Sequence, residues 1–545
     1  MAYSIARNGE KFELPTDEEY RAEYERLRFL VEKQRFLGRE IVVVMGLGFV
    51  GAVMAAVVAD AEDNRGKPSK FVIGVQRPST RSFWKTVVLN QGVSPVKSED
   101  PEVDSIIRRC VLDKKTLVAT YTEKVLELAD VVVLDVQCDY TKQSLGDVMT
   151  GTVDMAELEK TFHQVGERIQ PNTLVLIETT VPPGTTEQVA YPVIKKSFER
   201  RGIKTEPVLA HSYERVMPGR NYVSSVRNFW RVCSGINAVA KSRVVQFLSE
   251  VINTKEYPLT VLDRPIESEI AKIVENSYRA AILAFMDEWS TFTEQNGADI
   301  VKIINAIRVR PTHSNIMFPG PGIGGYCLPK DGALAIWAQK HIFGRDERLL
   351  KITAQSIDIN DTRALRAVQL TREALRDMGQ PVSSAEVLVL GASYKEDVGD
   401  TRNSGAEMIV RGLAELGVEI RVHDPYVDNW AEFESPEDNS NSGHGREPFF
   451  KNQEKLRDLQ ITRDLKAALN GVDAIIFTVR HRQYLNLDPD ETVRLAGKPI
   501  AIIDGFGLLD DKRIRRYLDL GCAVRGLGRG HIARMQKPMD NRGCR

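Results

Sequence analysis

Residues 41–59, IVVVMGLGFVGAVMAAVVA, contain no charged side chain and constrain the fold more than any other segment. The run approaches the length of a membrane span, which needs about 20 apolar residues. It begins, however, as a β-branched strand, and Gly46, Gly48 and Gly51 then interrupt it in a GxGxxG pattern. We therefore predict a buried strand, a tight turn and a buried helix.

The three glycines predict a dinucleotide-binding loop, to which Phe49 and Val50 also belong. The first glycine allows the tight turn, the second lets backbone approach a pyrophosphate, and the third lets the helix pack closely on the sheet. The helix N-terminus can then hold the anion. The alternative is a glycine-rich turn without a ligand, but a further strand, FVIGV, follows about 25 residues later, as a βαβ unit requires.

Gln76 and Arg77 follow that second strand, where a dinucleotide site usually carries an acid. Gln76 can hydrogen-bond a ribose hydroxyl, and Arg77 can stack on adenine or meet a 2′-phosphate. NAD is the expected cofactor, and the missing acid leaves NADP as the alternative.

The composition indicates a globular chain. At roughly 100–200 residues per domain, 545 residues predict three or four domains. The formal net charge of −1 gives no general attraction to nucleic acid or lipid, and we expect neither as a partner. The six cysteines form no CxxC pair, so we expect no metal site, no disulfide framework and a reducing, cytoplasmic location. The polar N-terminus does not read as a signal peptide.

Apolar strands alternate with helical stretches in two parts of the chain, which predicts two doubly wound Rossmann-like α/β domains joined by a long central helix. The expected organisation comprises a helical arm (1–38), a cofactor-binding domain (39–236), a central helical dimerisation and catalytic region (237–380), and a C-terminal nucleotide-sugar-binding domain (381–545). Residues 428–456 are polar and turn-rich, so we predict a mobile surface insertion there.

Residues 265–297 predict the long helix, because apolar residues recur at steps of three and four. Lys272 and Asn276 are four residues apart and share a face, near Glu269 and Arg279 and opposite the apolar stripe. Such a polar face is usually exposed to solvent. If it faces a substrate, a cation there can stabilise a developing oxyanion.

The segment 319–331, PGPGIGGYCLPKD, places a single cysteine just before a predicted helix. A helix N-terminus and the neighbouring Lys330 both lower the pKa of a thiol, so Cys327 is a candidate nucleophile. Asp331 can handle a proton or orient water. The alternative is a structural loop with an inert thiol.

Two further loops follow strands at the expected carboxyl edge of the first sheet, where open α/β folds bind ligands. The loop 178–186, ETTVPPGTT, contains Thr180. The loop 212–220, SYERVMPGR, contains Glu214 as a candidate acid/base and Arg215 and Arg220 as candidate anion contacts.

Together these segments resemble the UDP-glucose/GDP-mannose dehydrogenase family, in the same order, from about residue 40 to 535. MGLGFVG is similar to the family's cofactor loop, ETTVPPGTT to its STVPPGTT segment, and SYERVMPGR to its PERVxPG stretch. EIAKIVENSYRA resembles the central-helix motif, GIGGYCLPKD the nucleophile loop, and LGASYKEDVGDTRNS the start of the third domain. HDPY and LGRG are similar to later landmarks.

The resemblance implies an NAD-dependent nucleotide-sugar 6-dehydrogenase that oxidises a UDP-sugar C6 alcohol in two steps, through a thiohemiacetal and a thioester on Cys327. It implies that Lys272 and Asn276 stabilise the oxyanion, that Asp331 handles water and that Glu214 is an acid/base. It further implies a homodimer or higher oligomer and two sets of binding residues. The cofactor set is Gly46, Gly48, Phe49, Val50, Gly51, Gln76, Arg77, Thr180 and Lys330; the substrate set is Arg215, Arg220, Gly324, Gly325, Tyr326, Lys395 and Arg402.

Three residues depart from the family pattern: Gln76 replaces the ribose-binding acid, Cys138 the threonine of VPTP, and Tyr213 the proline before the glutamate. RVMPGR favours a UDP-N-acetylhexosamine and CLPKD favours UDP-glucose, so both sugars stay open, with a GDP- or dTDP-sugar as a further alternative. The alternatives are a single-step β-hydroxyacid-type dehydrogenase, which needs neither Cys327 nor a third domain, and a catalytically silent nucleotide-binding homologue.

Overall fold

The computed structural model describes residues 2–6, 8–216, 219–433, 447–451 and 453–536. Its strands, in chain order, are β1 (Tyr3–Ile5), β2 (Lys11–Glu13), β3 (Glu40–Met45), β4 (Lys70–Val75), β5 (Leu117–Thr120), β6 (Val131–Leu134), β7 (Tyr140–Thr141), β8 (Thr152–Val153), β9 (Leu174–Ile177), β10 (Val208–Tyr213), β11 (Val232–Gly235), β12 (Thr260–Val261), β13 (Glu386–Leu390), β14 (Glu419–His423), β15 (Ile461–Thr462), β16 (Ala474–Phe477), β17 (Ala501–Asp504) and β18 (Ala523–Gly526).

The α-helices, in chain order, are α1 (Asp17–Phe36), α2 (Phe49–Ala59), α3 (Phe83–Asn90), α4 (Pro101–Arg108), α5 (Ala156–Arg168), α6 (Tyr191–Arg200), α7 (Tyr222–Arg227), α8 (Ala238–Val251), α9 (Pro265–Gln295), α10 (Ile300–Arg308), α11 (Asp331–His341), α12 (Lys351–Thr362), α13 (Leu365–Asp377), α14 (Gly405–Glu415), α15 (Leu465–Leu469), α16 (Arg482–Leu485), α17 (Pro489–Ala496), α18 (Asp511–Asp519) and α19 (Ile532–Met535).

The chain divides into two compact units. The first comprises Met1–Asp139, Val153–Ile273 and Trp337–Glu347, and the second comprises Tyr140–Thr152, Val274–Ile336 and Arg348–Arg545.

The first unit contains an eight-stranded sheet in the order β12-β11-β10-β9-β6-β3-β4-β5. Its neighbouring strands are parallel except for the antiparallel pair β10–β11, which the sequence analysis did not predict. The central strands β6 and β9, and β3 from its second residue on, are apolar and buried, as expected when helices cover both faces of a parallel sheet. The uncharged run 41–59 forms β3, a turn and α2, as predicted.

In the part of the chain that the structure describes, no helix combines the length and apolar character that crossing a membrane requires.

The N-terminal arm packs on the first unit. Thr16 and Glu19 form a capping box at the start of α1, which satisfies backbone donors at that end. Leu27 and Val31 on α1 are buried, and the Tyr24 hydroxyl donates to Glu127 at 2.9 Å. The hairpin β1–β2, which precedes the helix, was not predicted.

The second unit contains a six-stranded, all-parallel sheet in the order β15-β14-β13-β16-β17-β18 and a small sheet β7–β8. The long helix α9 was predicted at 265–297 and spans Pro265–Gln295. The fold class, two doubly wound α/β domains and a long central helix, is confirmed.

Within the expected insertion 428–456, residues 434–446 and 452 lie outside the described residues. The described flanks differ from a surface insertion, because Trp430, Phe433 and Leu456 are buried in the core of the second unit.

Candidate active site

The glycine loop joins β3 to α2 and has little room for side chains at two of its three glycines. Gly46 has a φ of 101°, and a Cβ there would lie 2.5 Å from the carbonyl oxygen of Asp135. A Cβ on Gly51 would lie 1.9 Å from the Gly46 carbonyl oxygen, whereas Gly48 has open space around it. The loop therefore has a tight turn, a close helix-to-strand contact and one exposed backbone position. Phe49 stacks on Tyr222 at 4.7 Å between ring centroids.

Gln76 contacts the glycine loop directly, because its amide oxygen accepts the Leu47 N–H at 2.9 Å. Arg77 is exposed and pairs with Glu157 at 2.7 Å. Both residues follow β4, so they lie at the same sheet edge as the glycine loop.

A buried glutamate holds the 178–186 loop that contains Thr180. Glu269 on α9 accepts the Gly184 N–H at 2.6 Å, the Thr186 N–H at 2.8 Å and the Thr186 hydroxyl at 2.6 Å. Burial raises the pKa of Glu269 to about 7, although these hydrogen bonds oppose the shift. Thr180 itself is half-buried. Glu269 thus fixes this loop against the start of α9.

Lys272 and Glu214 come together in the first unit. The Lys272 ammonium donates to the Glu214 backbone carbonyl at 2.7 Å and lies 3.5 Å from the Glu214 carboxylate. It also lies 5.4 Å from the centroid of the Tyr213 ring, which gives the unusual tyrosine a cation–π contact. Arg215 donates to the Trp230 carbonyl at 2.5 Å, and Arg220 is exposed.

Sequence reasoning missed a buried acid cluster beneath the glycine loop. Glu178 pairs with Arg231, and both are at most 2 % exposed. Burial, together with the neighbouring Glu178 carboxylate, raises the pKa of Asp135 well above its ordinary value. The only sequence signal was an acid directly after the apolar strand β6.

The face of α9 that carries the polar candidates is buried. Glu269, Lys272 and Asn276 are 1 %, 6 % and 8 % exposed. The expectation that a polar helix face is exposed is wrong for these three residues and correct for Arg279. The opposite face is apolar and open, with Ile270, Val274, Tyr278, Phe285, Trp289 and Phe292 all between 43 % and 58 % exposed.

Cys327, in the second unit, is half-buried and lies four residues before Asp331, the first residue of α11. Its carbonyl accepts the N–H groups of Lys330 at 3.1 Å and Asp331 at 2.9 Å, which forms the turn into the helix. Cys110, Cys138, Cys233 and Cys522 are buried, and none of them is joined in a disulfide bond within the described residues. Of the five described cysteines, Cys327 has both partial exposure and a helix N-terminus beside it.

Asp331, the first residue of α11, is fully buried and has two partners. The Asn276 amide donates to one carboxylate oxygen at 2.6 Å, and the Lys330 ammonium lies 3.3 Å from the other. The same lysine lies 4.4 Å from the centroid of the Tyr326 ring. Asp331, Lys330, Asn276 and the cysteine loop thus form one local network.

The loop 391–404 after β13 is hydrogen-bonded to the cysteine loop, residues 319–331. The Arg402 carbonyl accepts the Gly325 N–H at 2.7 Å, and the Asn403 amide donates to the Gly325 carbonyl at 3.1 Å. Asn403 adopts a φ of 53°, a left-handed conformation that asparagine tolerates. A Cβ on Gly324 would lie 2.2 Å from the Tyr394 Cβ, so glycine is required there.

Arg402 has its guanidinium beside the same loop, 5.6 Å from the centroid of the Tyr326 ring. Burial disfavours its charge, but two hydrogen bonds to Asp400, at 2.9 and 2.6 Å, outweigh burial and raise the pKa of Arg402. Arg402 therefore stays charged beside the cysteine loop. Lys395 is half-buried in the same loop.

A second group that sequence reasoning missed holds this loop in place. Asp424 in HDPY accepts the N–H groups of Ala392 and Ser393, at 2.8 and 3.1 Å. His481 accepts the Asp397 N–H at 2.9 Å and lies 3.2 Å from Asp424. Asp424 belongs to the HDPY motif, so the sequence carried a signal for it. His481 lies in a distant segment that carries no motif.

Comparison with known protein families gives three matches along the chain. The NAD binding domain, the central domain and the UDP binding domain of the UDP-glucose/GDP-mannose dehydrogenase family match residues 40–252, 266–362 and 388–511.

Individual relatives are similar over nearly their whole length. A UDP-N-acetyl-D-mannosamine dehydrogenase of Pyrococcus horikoshii is 28% identical over 494 residues, which is 90% of this chain and 100% of that protein. Another, from Methanocaldococcus jannaschii, is 25% identical over 88% of this chain and 93% of its own length. The crystal structure of NDP-N-acetyl-D-galactosaminuronic acid dehydrogenase from Methanosarcina mazei Go1 aligns with a TM-score of 0.72 at 26% identity, covering 92% of this chain and 98% of that one.

Proposed function

The chain belongs to the UDP-glucose/GDP-mannose dehydrogenase family of NAD-dependent enzymes, and from this premise we propose that it oxidises the C6 alcohol of a UDP-sugar to a carboxylate in two steps. The observation that carries the proposal is the setting of Cys327. Its half-buried thiol lies at the start of α11, in a loop that also carries Lys330 and is held by the loop of Arg402. Helix N-termini and nearby cations favour the thiolate, which is the reactive form.

The residues of the glycine loop fit the cofactor. The positive φ of Gly46, the open backbone at Gly48 and the close packing at Gly51 leave the N-terminus of α2 free to hold a pyrophosphate. NAD bound there supplies the hydride acceptor for each of the two oxidations.

We assign the remaining steps to named side chains. Glu214, beside Lys272, takes the hydroxyl proton in the first oxidation, which gives the aldehyde. The Cys327 thiolate adds to the aldehyde carbon, and Lys272 and Asn276 stabilise the oxygen anion of the thiohemiacetal. Loss of a second hydride from that carbon gives a thioester. Asp331 orients water and takes its proton, the C–S bond breaks, and the acid leaves with the thiol restored.

The substrate we propose is a UDP-N-acetylhexosamine, with UDP-glucose second. The UDP binding domain supports the nucleotide. The names of the relatives, UDP-N-acetyl-D-mannosamine dehydrogenases, support the N-acetylated sugar, as does RVMPGR in this chain. Arg215, Arg220, Lys395 and Arg402 are the proposed contacts for the diphosphate and sugar.

Counting products tests the reaction. Two molecules of reduced cofactor should form for each sugar acid released, measured by absorbance and by chromatography of the nucleotide sugar. One per sugar would favour a single-step β-hydroxyacid-type enzyme, and none with any UDP-sugar would favour a silent homologue.

We further propose that the chain forms a homodimer through α9. The exposed apolar residues of this helix repeat at steps of three and four along one face, and Trp289 contacts both Phe285 and Phe292 edge to face. A second copy of the same helix offers a matching surface, as a two-fold interface requires.

A further inference from the structure

The turn that follows β4, at one edge of the first sheet, contains polar and charged residues to which the steps proposed above give no role. In open α/β dinucleotide sites, the residue at the end of the second strand contacts the adenosine ribose. An acid there accepts from the 2′-hydroxyl of NAD and repels a 2′-phosphate, whereas an arginine nearby accommodates the phosphate. Gln76 and Arg77 occupy this position.

The hydrogen bond from Leu47 determines which hydrogen-bonding groups of Gln76 remain for a ligand. Since its amide oxygen accepts the Leu47 N–H at 2.9 Å, the rest of the side-chain amide is an NH2 group with donors only. Phosphate oxygens accept hydrogen bonds, so this group suits them as well as it suits a ribose hydroxyl oxygen. A carboxylate at the same position would offer acceptors and a negative charge instead.

The backbone of Arg77 is held in place, but its guanidinium is available to bind a ligand. Its backbone carbonyl accepts the Ser82 hydroxyl at 2.6 Å and the Ser79 N–H at 3.0 Å, so the turn is fixed. Its guanidinium pairs with Glu157 at 2.7 Å, but the two side chains are 60 % and 53 % exposed. Ion pairs exposed to this extent are weak, so a phosphate can compete for the arginine.

The turn after β4 carries a second cation, because Arg81, four residues after Arg77, is also exposed. Acids lie near this end of the sheet as well, but Glu23 accepts from Thr120 and is paired with Arg26 at 2.7 Å, and Glu19 accepts from Thr16. A phosphate monoester carries about −1.5 to −2 charges at neutral pH, and Arg77 and Arg81 offer it two positive charges.

We infer that the adenosine end of the cofactor site accepts a 2′-phosphate, so that this chain binds the 2′-phosphorylated dinucleotide NADP(H) with an affinity no more than about tenfold below its affinity for NAD(H). Gln76 and Arg77 are the residues that set this selectivity, with Arg81 as a second cation. The inference rests on the proposed function only for the position of the dinucleotide.

Binding of reduced cofactors tests the inference without a sugar substrate. Dissociation constants for NADPH and NADH are measured by nucleotide fluorescence on the full chain. The wild type should bind NADPH no more than about tenfold more weakly than NADH, because no acid repels the phosphate. A larger preference for NADH overturns the inference.

Variants show which residues are responsible. Gln76→Asp should weaken NADPH relative to NADH by about 30-fold or more, since like charges in contact cost several kcal/mol. Arg77→Ala should shift the ratio in the same direction, and Glu157→Gln in the opposite direction because it frees Arg77. Arg65→Ala removes the same charge from the loop before β4, at the opposite sheet edge, and should leave the ratio unchanged. An unchanged ratio in Gln76→Asp overturns the assignment.

Turnover separates this inference from the proposed function. If UDP-sugar oxidation proceeds with NAD but not with NADP, the inference fails and the function stands. If neither cofactor is reduced with any UDP-sugar while NADPH binds as expected, the proposed function fails and the inference stands.

Discussion

Helix α9 reverses the arrangement of an ordinary amphipathic helix, which buries its apolar face and exposes its polar face. One face buries Glu269, Lys272 and Asn276, while the other exposes Phe285, Trp289 and other apolar residues. Burying polar groups costs free energy unless each one is hydrogen-bonded, and here each has a partner. Exposed apolar clusters of this kind usually mark an interaction surface. The difference between the faces is the basis for the two roles proposed for this helix, chemistry on the inner face and association on the outer face.

Removing the buried cation of Lys272 is the strongest test of the role proposed for the inner face. Lys272→Met should lower kcat by about 10²–10³-fold, the usual loss for an oxyanion-stabilising group, while dissociation constants for cofactor and UDP-sugar change little. Steady-state kinetics and calorimetric titration measure the two. Lys196→Met, the same substitution at an exposed position of α6, is the control and should keep wild-type kcat. A normal kcat in Lys272→Met would remove the lysine from the chemistry.

The outer face is tested by adding charge to it. Phe285 and Trp289 are 56 % and 46 % exposed, so covering each ring contributes roughly 1–1.5 kcal/mol. Replacing both with glutamate should weaken a dimer by about 100-fold or more, measured by light scattering over a dilution series. Thr291→Glu adds a charge to the same helix outside the apolar stripe and should leave the oligomeric state unchanged. A monomeric wild type would contradict the dimer.

The smallest effect concerns Glu269 at the start of the inner face. Burial raises its pKa to about 7 from the ordinary 4.5, so the folded protein binds this proton more tightly than the unfolded chain does. Its contribution to stability is therefore greatest below pH 4.5 and is lost as pH rises towards 7 and above.

Between pH 5 and 8 we expect the Tm of the wild type to fall by about 3 °C more than that of Glu269→Gln, which cannot titrate. Differential scanning calorimetry measures both. Glu288→Gln, at an exposed position on the same helix, should follow the wild type. Parallel curves for wild type and Glu269→Gln would show that the Glu269 carboxyl does not titrate in this range.

The sequence predicted the glycine loop, the central strands and the cysteine loop because each depends on local pattern. Glycines at fixed spacing, β-branched runs and a thiol before a helix are visible within a few residues. The acid cluster of Asp135, Glu178 and Arg231 was missed because it joins three separate strand ends. The burial of the polar face of α9 was also missed, since periodicity shows which residues share a face and not which face is covered.

The most direct test of the central claim is to trap the thioester on Cys327. Asp331→Asn should slow hydrolysis while leaving the two oxidations, because Asp331 is assigned to water. We expect peptide mass mapping after incubation with UDP-sugar and cofactor to find the acyl sugar nucleotide on Cys327 and on no other cysteine, and to find none in Asp331→Asn combined with Cys327→Ala. Circular dichroism checks that both variants are folded. Release of sugar acid at the wild-type rate by a folded Cys327→Ala variant would contradict the account.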